Sequence, residues 1–251
     1  MSTGRYAHYL DNVMWNDPTI TADATPTTSY SLDVLKGSNP AARVRFGTGT
    51  VTITLTFDAP VTATLFALPV SNLAGAVLTL TNGAGLSQAV TLPTLPGNRI
   101  PLTAIVTFAS STSAVWHLVI SGNAANVILG GCLWLGTYRT LAHNYVMGFR
   151  EITDQPGPAP QVNDYGVEYL VNLGVQVRTF EGEFRASGDV ADALLAWSQD
   201  GRHRPTLFWP DPSVNDAFIG HWVEAYTRQR EWLTRSSISL RFRELSKGKP
   251  V

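Results

Sequence analysis

The chain has 251 residues and a mass of 27.2 kDa, is 44% hydrophobic but only 15% charged, and carries a formal net charge of −1 and one cysteine. That length accommodates two domains of ordinary size, each able to bury its own core. Near-zero charge excludes a nucleic-acid binder that works through a broad basic surface, and a single cysteine excludes an intrachain disulfide framework and a cysteine-built zinc site.

The first residues, Met1 to His8, show no basic segment followed by an apolar core, so no secretory signal is read there and a soluble protein made in a cytoplasm is expected. Tyr6, Tyr9 and Trp15 follow closely. Aromatic residues this dense serve packing by default, with sugar stacking or partner contact as the alternative. Tyr9 and Trp15 are therefore the candidate contact residues.

From Thr50 to Phe57, threonine alternates with Val51, Ile53, Leu55 and Phe57, which is the period of a half-buried strand. Asp58-Ala59-Pro60 is expected to end it, with a second strand over 61–69. A third strand over 76–81 closes at Asn82-Gly83, a strong hairpin signal. Residues 89–92, 105–108 and 115–120 read as further strands. Many short strands separated by turn clusters, with no credible helix among them, predict a sandwich. The run Val127 to Leu135 is the most apolar in the chain, but a spanning helix needs about 20 apolar residues. It reads as a buried strand, and no membrane insertion is expected.

Past residue 130 the composition changes. The first 130 residues hold five Lys/Arg and five acids, and the remainder holds 13 and 14. Threonine runs the opposite way. The shift predicts two separately built domains, 1–138 and 139–251, joined near 136–145. Residues 155–160, with three prolines, read as a stiff loop between strands. Strands are expected within 165–184. Val190, Ala193, Leu194 and Trp197 then fall at i, i+3, i+4 and i+7, predicting a helix over 189–199, with Ser187 as N-cap, acids in the first turn and Gly201 as the stop. Residues 206–209, 221–226 and 236–244 complete the strands.

Chemistry-bearing residues are sparse. The five histidines, His8, His117, His143, His203 and His221, lack metal-ligand spacing. Cys132 has no basic sequence neighbour to lower its pKa and reads as a small buried hydrophobe. Glu181 and Glu183 share a strand face, and their spacing approaches the short end of a glycosidase carboxyl pair, although alternating acids on a solvated strand need no substrate. Neither a nucleotide-binding glycine fingerprint nor a Gly-x-Ser-x-Gly elbow is present. No enzyme, cofactor or metal is expected.

Two segments carry a family resemblance. Tyr9 to Trp15 with Ala63 to Leu73, closed by Trp116 to Gly122 and Val127 to Gly136, resembles the galactose-binding-like jelly roll of many tailed-phage structural proteins. The order strand pair (165–184), helix (189–199), Gly201-Arg202-His203-Arg204-Pro205, strand ending at Pro210-Asp211-Pro212, and two strands ending at Glu244 resembles the β-rich domain of distal-tail and baseplate proteins. The resemblance implies a mainly β protein: an N-terminal antiparallel jelly-roll β-sandwich followed by a small α+β domain with one short helix. It implies a structural virion protein of a tail tip or baseplate, made in the host cytoplasm, whose partners are other tail proteins and copies of itself in a homo-oligomeric ring. The alternative is a carbohydrate-binding module for host surface glycans. Low charge and a mean hydropathy of +0.03 predict broad apolar faces for permanent interfaces.

Overall fold

The computed structural model describes residues 4–27, 31–69, 73, 75–92, 103–122, 126–141, 150–154, 159–162, 168–171, 177–186, 188–200, 204–213, 217–223, 227–232 and 235–245. The first half contains β1 (Arg5–Ala7), β2 (Thr19–Ala22), β3 (Arg43–Arg45), β4 (Val51–Leu68), β5 (Val77–Asn82), β6 (Ser87–Thr91), β7 (Ala104–Ser121), β8 (Ile128–Gly130) and β9 (Trp134–Gly136). The second contains β10 (Arg139–Thr140), β11 (Arg150–Asp154), β12 (Ala159–Val162), β13 (Glu168–Val171), β14 (Val177–Ala186), α1 (Gly188–Asp200), β15 (Thr206–Trp209), β16 (Phe218–Trp222), β17 (Thr227–Trp232) and β18 (Arg235–Glu244). The protein is mainly β, and every strand pairing among the described residues is antiparallel.

A six-stranded sheet, in the order β2-β4-β7-β5-β6 with β9 also on β4, forms one layer of an antiparallel jelly-roll sandwich. Its inner face presents the alternate residues Val51, Ile53, Leu55, Leu78, Leu80, Trp116, Leu118 and Ile120. The two-stranded sheet β3–β8 and the short 3-10 turn Leu32–Lys36 cover that face through Val44, Leu129 and Leu35. Trp116 and Phe46 are wholly enclosed, and burying each large apolar side chain contributes about 1.5–3 kcal/mol.

The expected break at Pro60 is absent: β4 runs through it as one strand, and β7 likewise joins the two stretches expected to be separate. The register explains the tolerance. Pairing with β7 skips from Thr56–Val115 to Val61–Ser113, so Pro60 lies in an irregularity where its missing N–H removes no ladder bond. The hairpin at Asn82 forms, but with a four-residue connection. The Asn82 side chain accepts from the Ala84 and Leu86 N–H groups at 3.0 and 3.1 Å, and Gly85 takes a positive φ of 88°. The apolar run at 127–135 is split into β8 and β9 around Cys132, whose φ is 63°.

The second large sheet runs β10-β1-β15-β16-β18-β14-β11, with β17 on β18. The helix packs Ala191, Leu194 and Trp197 against Phe208, Phe242, Trp222 and Ile238. Its Val190 side chain and the expected caps Ser187 and Gly201 lie outside the described residues, as do residues 155–158 of the proline-rich loop. The strand expected at 221–226 sits earlier, as β16, and β17 is an additional strand.

One strand departs from the division at residue 138. β1 belongs to the second sheet, between β10 and β15. Sequence around it does not alternate long enough to reveal that pairing, which is decided some 200 residues downstream in the Tyr6–Phe208 register. A third core then fills the junction, with Ala7, Leu65, Ala67, Ile105 and Trp134 against Leu207, Trp209, Ala217 and Ile219. The expectation of broad apolar faces is not met among the described residues. The apolar side chains fill three cores, and Leu10 and Val223 are the exposed large hydrophobics.

Candidate functional site

Residues 4–17 form a strap that crosses from one sheet to the other. β1 is stitched into the second sheet, and the chain then turns through two 3-10 turns, Tyr9–Asp11 and Val13–Asn16. Asn12, buried at 1% exposure, anchors the second turn to the sandwich. Its Oδ1 accepts from Met14 and Leu135 N–H groups at 3.1 and 3.2 Å, and its Nδ2 donates to the Leu133 carbonyl at 3.3 Å. Asp11 Oδ2 accepts from the His8 N–H at 2.8 Å, and its other oxygen lies 3.5 Å from the Arg139 guanidinium. Burial pushes the Tyr6 phenol above its ordinary range, partly opposed by Arg139.

The structure brings both candidate residues together on this strap. Tyr9 and Trp15 stack with centroids 4.8 Å apart and planes 14° from parallel. The Arg204 guanidinium lies 4.9 Å from the Tyr9 centroid, so the chain itself engages that ring. Trp15 is half-buried against the junction core, and its Nε1 is buried without a hydrogen-bond partner. Between them Leu10 stands 74% exposed. Sequence reasoning missed Leu10 and Arg204. An aliphatic residue inside a 3-10 turn carries no periodicity, and Arg204 meets Tyr9 only through the pairing of β1 with β15.

The remaining chemistry-bearing residues are dispersed. Glu181 is ion-paired with Arg241 at 3.0 Å, across β14 and β18, while Glu183 is exposed one strand step away. His117 Nδ1 lies 3.0 Å from the Thr54 hydroxyl on the outer face of the sandwich. Cys132 is fully buried, as expected, and desolvation pushes its thiol up to about 12, which holds it in the unreactive protonated form at neutral pH. Among the described residues no group of His, Cys, Asp or Glu is placed to hold a metal ion, and no helix is long and apolar enough to cross a membrane.

Sequence reasoning also missed a buried ion pair at the junction. Arg178 on β14 and Glu244 on β18 are 2% and 3% exposed and meet through two bonds of 2.8 and 2.7 Å. The guanidinium also donates to the Ala217 carbonyl at 3.1 Å and lies 4.4 Å over the Phe218 ring. Glu244 accepts from the Thr103 hydroxyl at 3.5 Å, just before β7 of the sandwich. The pair therefore ties β14, β16 and β18 to the first half.

No known family profile matches the chain, and no curated protein matches it. Among solved structures, part of the chain is similar to the crystal structure of SpGH29 (TM-score 0.41, 12% identity, 53% of this chain and 29% of that one). It is also similar to the lectin domain of lectinolysin complexed with Lewis B antigen (0.40, 9%, 49% and 95%) and to the family 32 CBM from C. perfringens NanJ in complex with galactose (0.39, 12%, 54% and 99%). The chain thus spans less than a third of SpGH29, and each likeness covers about half of this chain.

Proposed function

We propose that the chain is a non-catalytic structural subunit that works by holding protein partners, in the tail tip or baseplate of a tailed phage. One observation carries the contact: Leu10, 74% exposed, projects from a strap that is otherwise fixed by Asn12, Asp11 and the stacked Tyr9–Trp15 pair. In this reading Leu10 is the side chain that a protein partner would cover. The phage assignment rests on the sequence resemblance; the order β14, α1, β15 is the one it implies, whereas β13 pairs with β12 and three strands, not two, follow β15. Glu181 serves an ion pair and Cys132 a core, so each has a structural role in the fold.

A second reading is glycan binding at the same place, favoured by the half-exposed indole of Trp15. Tyr9 offers less to a sugar, because Trp15 and Arg204 already engage its ring. The two readings separate on two substitutions. Leu10→Asp should abolish incorporation into assembled tail particles, scored by microscopy and mass analysis, and leave the fold intact. Trp15→Ala should abolish glycan-array signal if sugar is the partner. Wild-type binding to a glycan, with Leu10→Asp particles assembling normally, would overturn the assembly reading in favour of the second.

A further inference from the structure

An open strand edge offers unpaired N–H and C=O groups, and proteins ordinarily blunt it with charge, proline or a bulge. The ends of the two large sheets differ in this respect. β2 is flanked by Asp17, Pro18 and Asp23. β10 carries Arg139, and β11 carries Arg150, Glu151 and Asp154. β17 carries Arg228, Arg230 and Glu231 and has an irregular register. The outer side of β9 is taken by the strap, through the Asn12–Gly136 bridge and the Thr137 N–H bond to the Asp11 carbonyl. Among the described residues β6 has no such guard. It reads Ser-Gln-Ala-Val-Thr, pairs with β5 over five consecutive positions without a shift, and no charged residue lies between Asp58 and Arg99.

The register identifies the groups that make no bond to β5; of these the Ala89 carbonyl accepts a 3.4 Å bond from the neighbouring Gln88 side chain, which the pairing proposed below would replace. The Asn82 N–H donates to the Leu86 carbonyl, and the Leu92 N–H to that of Ala76. Even-numbered positions of β6 therefore bond to β5, and the N–H and C=O of Ser87, Ala89 and Thr91 point away from it. All three residues are exposed, while Gln88 and Val90 are half-buried and Val90 packs against the sandwich core.

We propose that β6 pairs antiparallel with β6 of a second copy about a two-fold axis at Ala89, joining two six-stranded sheets into one. Ala89 then opposes its own mate, Ser87 opposes Thr91, and Gln88 opposes Val90. About six backbone hydrogen bonds close the pairing, and the mate's Gln88 covers the exposed flank of Val90. The occupant is a second copy because the edge is self-complementary: a two-fold places uncharged residues against uncharged residues, with no like charges to oppose. The contact does not depend on which assembly, phage or otherwise, the protein serves.

The test is sedimentation or light-scattering mass of the full chain from micromolar to hundred-micromolar concentration. The wild type is expected to show dimers or even-numbered multimers. Ala89→Pro removes an outward N–H and no bond to β5, so it should halve the mass while far-UV dichroism stays unchanged. The register gives a second check that is independent of proline. Ser87→Lys with Thr91→Lys sets like charges opposite each other and should also halve the mass, whereas Ser87→Lys with Thr91→Glu sets opposite charges together and should keep the wild-type mass. A wild type that stays monomeric throughout, or a multimer whose mass survives both Ala89→Pro and the double lysine variant, overturns the proposal.

Discussion

Arg178 and Glu244 are the residues whose roles are least visible in the sequence and most consequential in the structure. Nothing in a strand sequence marks an arginine as buried. The pairing comes from the β14–β18 register, in which Thr179 opposes Arg243 and the next step brings Arg178 to Glu244. An ion pair removed from water is weak evidence for net stability, because desolvation offsets much of the attraction. Removing one partner is different, since the other charge stays buried alone. Glu244→Leu should therefore cost about 3–5 kcal/mol in urea denaturation, and Arg178→Met combined with Glu244→Leu should recover most of that loss. Equal stability of the single and double variants would show that the pair does not act as a unit. Tyr9 and Trp15, by contrast, are singled out in the sequence because aromatic density is a local property. Their stacking on each other, and on Arg204, is not visible there, because it depends on a turn and on a distant strand.

At the level of elements, alternation located most strands but misplaced their ends. The threonine–apolar repeat of β4 is a statement about faces, and Pro60 a statement about one N–H. The structure reconciles them by placing the proline where the ladder is already interrupted. The helix was legible because Ala193, Leu194 and Trp197 share a 3.6-residue period, whereas β1, only three residues long, has too few positions to show any. Close backbone crossings are equally silent in sequence. Gly136 ends β9 where the strap passes over it, and a Cβ there would lie 1.8 Å from the Asp11 carbonyl oxygen. Gly136→Ala should destabilise by about 2–3 kcal/mol through forced displacement of the strap. Gly83→Ala, whose Cβ would meet only the Ser113 hydroxyl at 3.9 Å, serves as the matched control and should leave the midpoint of thermal unfolding almost unchanged. Similar losses in both would mean that the strap yields freely at Gly136.

For the molecule as a whole, the composition break near residue 130 suggests two independent domains, but the packing ties the halves together. Arg5 donates to the Thr107 hydroxyl on β7 at 3.4 Å, while its guanidinium lies 4.6 and 4.9 Å from the Tyr138 and Trp209 rings. Thr103 bridges to Ala217, and the junction core draws residues from both sheets. A composition profile cannot report this, because the residues that join the halves are scattered along the chain and meet only through its tertiary fold. The joint has a thermodynamic signature. Where two halves share buried apolar surface, unfolding one exposes part of the other, so the intact chain should melt in a single cooperative transition. β1 takes part in two of the cores: Ala7 lies in the junction core, and Tyr6 packs 4.9 Å from Trp197 in the core of the second half. Deleting residues 1–7 removes the next-to-last strand of the second sheet, leaving β10 and β15 without their shared neighbour. The sandwich loses the Arg5–Thr107 bond and the Ala7 side of its contact, while Asn12 and the turn it anchors remain. Calorimetry of the truncated chain should therefore show two transitions, with the second half melting first and the sandwich near its original temperature. A single transition within a few degrees of the full-length value would mean that the rest of the junction core and the Thr103 contacts couple the two sheets without this strand.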